Sequence, residues 1–150
     1  MTLPQLQSDR FVPQPGHLIA VQVPPPHAAR VLEAICSEDP LIYGDYDQVA
    51  FIAAEGVQQF RSLPGGHNPA TDSAVTVGCV ELRVFTFADA EQLEKILRAI
   101  YWAHPYEEPV VLVTPSLRTL HVRGMDEDNP NRFWNNPAED WVPEEHRQPQ

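Results

Sequence analysis

Residues 103–109 (AHPYEEP) impose the strongest local constraint on how this chain can fold. Pro105 cannot continue a helix, and it biases His104 towards an extended backbone, so any helix that arrives here must end. Apolar positions recur at helical spacing before this segment, and residues 110–114 after it are an apolar run typical of a strand. We therefore predict a tight helix-to-strand turn that carries an imidazole, a phenol and two carboxylates.

The remaining periodic segments predict the element order β-α-β-β-β-α-β. Glu55-Gly56 separates two short strands and indicates a two-residue hairpin connection between them. A chain with this order folds as an α+β ferredoxin-like sandwich, in which two helices cover one face of an antiparallel sheet. The expected strands are 17–23, 48–54, 57–63, 75–87 and 110–114, with a short edge strand at 117–122. The expected helices are one at about 27–37 and a second that is capped by Asp89 and buries Leu93, Ile96, Leu97 and Ile100.

The strand predicted over 75–87 alternates in character along its length. Val80, Leu82 and Val84 point to one side, which we assign to the core. Arg83 and Phe85 belong to the opposite side, where charge is mixed with an aromatic ring. Such a face suits an oligomer interface better than open water.

Composition narrows the classes of partner. The chain has 10 Lys+Arg against 21 Asp+Glu, a formal net charge of -11, so we expect neither nucleic acid nor an anionic membrane surface as a partner. There is no basic segment followed by an apolar one at the amino terminus and no run of about 20 apolar residues. The two cysteines, Cys36 and Cys79, lie far apart, and we predict a reduced, cytoplasmic protein.

Composition also predicts three regions along the chain. Residues 1–16 are polar and proline-bearing and are predicted to be a flexible lead-in, and residues 17–123 form the folded domain. Residues 124–150 hold seven carboxylates against two arginines, which by charge alone favours disorder. They also contain Phe133, Trp134 and Trp141, and such side chains favour a partner surface, so we expect part of this tail to dock.

Four local motifs resemble one family over residues 17–115. They are the strand and helix joined by prolines 24–26, GDYD at 44–47 leading to Phe51, Phe60 followed by GGHNP at 65–69, and AHPYEEP at 103–109. Together they resemble the insertion domain of NIF3-like proteins (the YqfO type), which is similar in fold to CutA1 divalent-cation tolerance proteins and to PII signalling proteins. The resemblance implies a stand-alone CutA1/PII-like module, and such modules are typically trimers. The two halves that supply a dinuclear metal centre in full-length NIF3-like proteins have no counterpart in this sequence.

The turn at 103–109 is a candidate metal site. His104, Glu107 and Glu108 carry imidazole and carboxylate groups, which bind Zn²⁺, Cu²⁺ or Mn²⁺. The alternative is structural, with the prolines fixing the backbone and the carboxylates pairing with an arginine such as Arg83 across a subunit boundary. This structural role is favoured, because Glu107 and Glu108 are adjacent in an extended segment and should point apart.

The glycine-rich loop is a candidate ligand site. Gly65 and Gly66 leave backbone N–H groups accessible, and His67 and Asn68 add donors that can hold an anion. A mobile loop is the plain alternative. By resemblance to PII-like trimers, the turn that contains Tyr46 is expected to line the same cleft between subunits as His104, and Tyr106 is a further candidate ligand-binding residue.

The leading hypothesis is a non-enzymatic, regulatory, trimeric protein that binds a small ligand or a protein partner at subunit clefts. A divalent metal-binding protein using the turn at 103–109 is the alternative. A small enzyme whose site forms only between chains is a third class. No catalytic residue is predicted, because no nucleophile, base and orienting group are grouped in the sequence.

Overall fold

The computed structural model describes residues 2–147, and Met1 and residues 148–150 of the predicted lead-in and tail lie outside the described part. Two long helices and five strands make up the fold, with single 3-10 turns at Pro25–His27, Phe133–Asn135 and Glu144–His146. In chain order the elements are β1 (Phe11–Val23), α1 (Ala28–Glu38), β2 (Ala50–Ile52), β3 (Gly56–Phe60), β4 (Val75–Thr86), α2 (Ala90–Ala103) and β5 (Val110–His121).

The strands form one five-stranded antiparallel sheet, and its order confirms the predicted ferredoxin-like fold. The path across the sheet is β2-β4-β1-β5, with β3 also paired to β4. β1 lies in the centre, where Val21 is opposite Leu82 of β4 and Val111 of β5. Both helices follow a strand and return to the same face, and they pack against each other there.

The predicted hairpin between β2 and β3 is wrong. Both strands pair with β4, with Ile52 opposite Leu82 and Gly56 opposite Cys79. Three residues, 53–55, therefore face only two residues of β4, which is the count of a β-bulge. Gly56 does not adopt a positive φ, so Glu55-Gly56 bends one long strand along β4 and does not reverse the chain.

Two strands are longer than predicted. β1 begins at Phe11, so residues 11–16 of the predicted flexible lead-in are part of the sheet. β5 runs without a break from Val110 to His121, where two separate strands were expected. Pro115 lies inside it, opposite His17. A proline is tolerated there because β5 is an edge strand, and its outer side needs no N–H donor.

The helices form where their patterns predicted. Asp89 caps α2 by accepting a hydrogen bond from the backbone N–H of Gln92 at 2.9 Å. Pro25 occupies the start of the turn that leads into α1, where its missing N–H costs no hydrogen bond. Apolar side chains from both helices, from β1 and β4 and from the segment after α1 then fill one core, namely Ile19, Val21, Val23, Val31, Ile35, Leu41, Val80, Leu82, Val84, Ile96, Ile100 and Ala103.

The aromatic residues of the tail pack mainly on one another. Phe133 makes edge contacts with Trp134 and Trp141, at ring-centroid distances of 5.2 and 6.0 Å. Asp126 ties this segment to the start of β1 by accepting a hydrogen bond from Arg10 at 3.5 Å, and it accepts a second one from Arg132 within the tail at 2.6 Å. Among residues 2–147, no helix is both long and apolar enough to cross a membrane.

Gly16 provides a test of the packing between β1 and β4. A Cβ atom at this position would lie 2.6 Å from Cζ of Phe85 and closer still to the carbonyl oxygen of Thr86. We expect Gly16→Ala to lower the free energy of unfolding by about 1–3 kcal/mol, because the ring and the strand must shift. Urea denaturation measures this change.

Gly56→Ala is the matched control, because its Cβ would meet only the carbonyl of Cys79 at 3.9 Å. It should change the free energy of unfolding by less than about 0.5 kcal/mol. Equal effects of the two substitutions would contradict the close approach at Gly16.

Candidate functional site

The turn at 103–109 is anchored at its start by backbone hydrogen bonds. His104 ends α2 with an extended backbone (φ -72, ψ 140), as expected for a residue before proline, and its N–H donates to the carbonyl of Ile100 at 2.9 Å. The carbonyl of Ala103 accepts a hydrogen bond from Nη2 of Arg30 on α1 at 2.5 Å. Both helices therefore hold the position at which the turn begins.

The imidazole of His104 points into the protein, and the residue is only 6% exposed. Its Nδ1 accepts from the backbone N–H of Tyr106 at 3.1 Å, and its Nε2 lies 2.8 Å from the carbonyl oxygen of Gln22 on β1. A backbone N–H can only donate and a carbonyl can only accept, so the ring is the neutral tautomer with its proton on Nε2. Both ring nitrogens are thus used to join the turn to β1.

Burial lowers the pKa of His104, and the positive charges of His27 and Arg30 act in the same direction. The hydrogen bond to Gln22 opposes this shift and does not cancel it. Burial also raises the pKa of Tyr106, whose ring lies 5.1 Å from the imidazole. The inner side of the turn is therefore uncharged at neutral pH.

The glycine-rich loop folds back onto the outer side of the turn. Gly65 has a φ of +105, a conformation that favours glycine, and the loop brings His67 into contact with Glu107 through Nδ1 and the carboxylate. The position of a Cβ on Gly66 would be 3.3 Å from Oε1 of Glu107, so a larger residue would crowd the same carboxylate. Two motifs 40 residues apart in sequence are therefore neighbours.

A groove of about 840 Å³ lies between this loop, the turn and β3. Five of the nine predicted site residues line it, namely His67, Asn68, Tyr106, Glu107 and Glu108. The remaining residues that line the groove were not predicted as site residues, and they are Gln58, Gln59, Phe60, Arg61, Ser62, Pro105 and Val110. We call this space the turn groove.

The residues of β3 were missed as site residues for a structural reason. The predicted hairpin paired 57–63 with the preceding strand, whereas pairing with β4 places Gln58 to Ser62 beside the turn. The order of polar and apolar residues in this short strand does not indicate that it pairs with β4, since Gln58 and Gln59 are adjacent and both polar. Only the partner strand determines where they lie.

Tyr46 does not lie in the turn groove. Its neighbours are Arg10, Phe11, Thr119 and His121, at the other end of β1 from Gln22 and His104. Eleven residues of extended chain separate the two ends, which is roughly 35 Å. Within one chain, the two places expected to share a cleft are therefore separate.

The residues predicted to bind a metal do not fit one in this arrangement. Neither ring nitrogen of His104 has a free lone pair facing Glu107 or Glu108, and Glu107 is already paired with His67. In the part of the chain that the structure describes, no three His, Cys, Asp or Glu residues are grouped as metal ligands would be. What the turn groove offers is hydrogen-bonding groups beside the rings of Tyr106 and Phe60.

The lowered pKa of His104 makes the stability of the protein depend on pH. Between its folded-state pKa and the ordinary value of about 6.5, the unfolded chain binds more protons than the folded one. Above about pH 6.5, His104 therefore makes its full contribution to the free energy of unfolding. This contribution is lost as the pH falls from about 6.5 towards the lowered pKa of the folded state. We expect the free energy of unfolding from urea titrations to be smaller at pH 5.5 than at pH 7.5.

In His104→Gln, the difference between these two pH values should shrink, because the amide does not titrate. His146→Gln, at an exposed position of the tail where only the backbone N–H is hydrogen-bonded, is the control and should leave the difference unchanged. If His104→Gln and wild type show the same difference, His104 is not the titrating group.

Comparison with known proteins bears on the fold of the chain. No protein-family profile and no curated protein matches the sequence. Among solved structures, a Bacillus cereus protein related to NIF3 is 26% identical with a TM-score of 0.57, over 71% of this chain and 27% of that one. The present chain thus spans about a quarter of the length of that relative.

Several CutA1 structures share the fold at lower identity. CutA1 from Shewanella sp. SIB1 is 16% identical with a TM-score of 0.50, covering 67% of this chain and 79% of that one. CutA1 from Oryza sativa is 19% identical with the same TM-score, covering 68% and 80%. A divalent ion tolerance protein CutA1 from Ehrlichia chaffeensis is 16% identical, again with a TM-score of 0.50, covering 73% and 84%. The chain therefore has a CutA1-like ferredoxin fold. It is also similar in sequence to part of a NIF3-related protein, as its motifs predicted.

Proposed function

We propose that this protein is a CutA1/PII-like, non-enzymatic regulatory module that assembles as a homotrimer and binds a small ligand or a protein partner at clefts between subunits. The observation that carries the proposal is the turn groove. Two motifs that are distant in sequence meet there and are joined by the contact of His67 with Glu107. We expect the protein to act in the cytoplasm.

The sheet face opposite the helices supports assembly. Residues that pair directly across antiparallel strands share a face, so Phe51, Arg83, Ala20 and Leu112 lie in one row on this face. Phe51 is 61% exposed and Leu112 is 54% exposed. Burying such a side chain contributes about 1.5–3 kcal/mol, and three copies would multiply this gain.

The sheet edges support the same proposal. Within residues 2–147, β5 pairs on one side only, with β1, which leaves a twelve-residue edge with open N–H and C=O groups. Long open edges favour pairing with another chain. A closed ring of subunits would cover these edges and place the turn groove next to a neighbour.

The polar groups of the turn groove favour an organic ligand. The carboxylate of Glu107 contacts His67, whereas Glu108 has no ion-pair partner among the described residues. Tyr106 and Phe60 add ring surface beside these carboxylates. A flat molecule with a cationic group fits this combination, because it can pack on a ring and donate hydrogen bonds to a carboxylate.

The metal-binding alternative has less support. The Ehrlichia relative is named a divalent ion tolerance protein, and the sequence offers His104, Glu107 and Glu108 as ligands. His104 uses both nitrogens within the protein, so these three groups do not converge on one ion. A trimer in which carboxylates of neighbouring subunits meet is the arrangement this alternative would require.

The trimer can be tested by light scattering after size exclusion. At micromolar concentration the wild type should have about three times the 16.9 kDa mass of the chain. Phe51→Asp should give monomers, because a charge on this face must be desolvated on assembly. Trp102→Asp, at an exposed position on α2, is the control and should remain trimeric. A wild-type monomer would overturn the assembly proposal.

The turn groove can be tested with benzamidine hydrochloride as a flat cationic probe in isothermal titration calorimetry. We expect a Kd on the order of 1 mM, which corresponds to about -4 kcal/mol. Glu108→Gln should weaken binding several-fold by removing the free carboxylate.

Glu94→Gln is the matched control, since Glu94 lies on α2 and pairs with Arg98. It should bind the probe like wild type. Binding that Glu108→Gln leaves unchanged would exclude the turn groove as the site.

A further inference from the structure

A second concave region lies at the opposite end of β1 from the turn groove. Two adjoining depressions of about 480 and 620 Å³ share Arg10, Asp45, Tyr46 and His121 in their walls. The ends of β1 and β5, the turn at 43–46 and the start of the tail surround them. We call this region the distal groove. Its other lining residues are Phe11, Tyr43, Gly44, Thr119, Arg123, Gly124, Met125, Asp126, Glu127, Arg132 and Trp134.

One wall of the distal groove is held rigidly. Tyr43 and Tyr46 exchange two backbone hydrogen bonds of 2.7 and 3.1 Å across Gly44, which has a φ of +61. The hydroxyl of Tyr43 donates to the carbonyl of Thr119 at 2.8 Å, which fastens the turn to β5. A site with preformed walls loses less conformational entropy when a ligand binds.

The buried side chain of Arg118 packs on Tyr43 in this wall. Arg118 is 8% exposed, and its guanidinium lies 4.4 Å from the ring centroid of Tyr43 and 4.5 Å from that of Phe85. Its Nε donates to the side chain of Gln14 at 2.7 Å. Stacking of a guanidinium between two rings fixes Tyr43, and through it the neighbouring turn.

Basic residues are concentrated around the distal groove in an otherwise acidic chain. Three of the ten Lys+Arg residues, Arg10, Arg123 and Arg132, line it beside three carboxylates, Asp45, Asp126 and Glu127, so its charges balance although the net charge of the chain is -11. Asp126 accepts from Arg10 and Arg132, and Asp45 accepts from Arg123. Each guanidinium has five N–H donors, so two shared carboxylates leave most of the donors of these three arginines without a side-chain acceptor.

Ring surfaces lie beside these donors. Tyr46 is 64% exposed and Trp134 is 43% exposed, and both line the distal groove. Arg132 lies 6.0 Å from the ring centroid of Trp134. Exposed aromatic faces next to surplus guanidinium donors are the combination that recognises a flat ring carrying a carboxylate.

We propose that the distal groove is a second binding site, which takes a planar aromatic acid. The carboxylate of the ligand accepts hydrogen bonds from Arg123 and Arg10, and its ring packs on Tyr46 and Trp134. This site is independent of the turn groove in chemistry and in position. The turn groove presents carboxylates to a cationic group, whereas the distal groove presents arginines to an anionic one.

The test uses 2-naphthoate in isothermal titration calorimetry on the full chain at pH 7.5 and low salt. We expect binding with a Kd below about 1 mM. Acetate supplies the carboxylate without the ring, and 2-naphthylmethanol supplies the ring without the charge. Both should bind at least ten-fold more weakly than 2-naphthoate. Equal binding of 2-naphthylmethanol, or no binding of 2-naphthoate at 5 mM, would overturn the proposal.

Variants locate the site. Arg123→Gln and Tyr46→Ala should each weaken 2-naphthoate binding at least five-fold, and both side chains are exposed enough to be replaced without loss of the fold. Arg98→Gln and Tyr101→Ala on α2 are the matched controls, and they should bind like wild type. If all four variants bind 2-naphthoate equally well, the site lies elsewhere and the proposal is wrong.

Discussion

The pairing of β1 with strands on both of its sides is the constraint on which the rest of the structure depends. Ile19 and Val21 are fully buried between β4, β5 and the two helices, and this burial sets the register of all three strands. A shift by one residue would turn these side chains to the opposite face, at a cost of several kcal/mol. Because the register is held there, the two ends of β1 are held as well.

The two ends of β1 support two separate grooves. At one end, the carbonyl of Gln22 accepts a hydrogen bond from Nε2 of His104, and this bond places Glu107 and Glu108 beside the glycine-rich loop. At the other end, Phe11 and Arg10 meet the Tyr43–Tyr46 turn, which Arg118 braces through its contact with Tyr43. A single sheet thus positions both grooves, one completed by the glycine-rich loop and the other by the start of the tail.

Local chemistry allowed much of this fold to be predicted. The 3.6-residue spacing around Ile96 and Ile100 identified α2, and Pro105 identified its end. The pairing of β2 and β3 could not be predicted, since Glu55-Gly56 is compatible both with a hairpin turn and with a bulge. Contact with β4 chooses between the two, because only the bulge keeps Ile52 and Gly56 in register with the same strand. The continuity of β5 through Pro115 likewise depends on its being an edge strand.

The sequence by itself determined the class of fold, the family resemblance and which residues carry reactive groups, because periodicity, proline and glycine act over a few neighbouring positions. Tertiary structure decided what those groups do. It turned His104 inward, where two backbone partners use its nitrogens, and brought His67 to Glu107 across 40 residues. It also placed Tyr46 among arginines far from the turn at 103–109. Side-chain direction and long-range proximity follow from strand pairing and burial, and no local pattern encodes them.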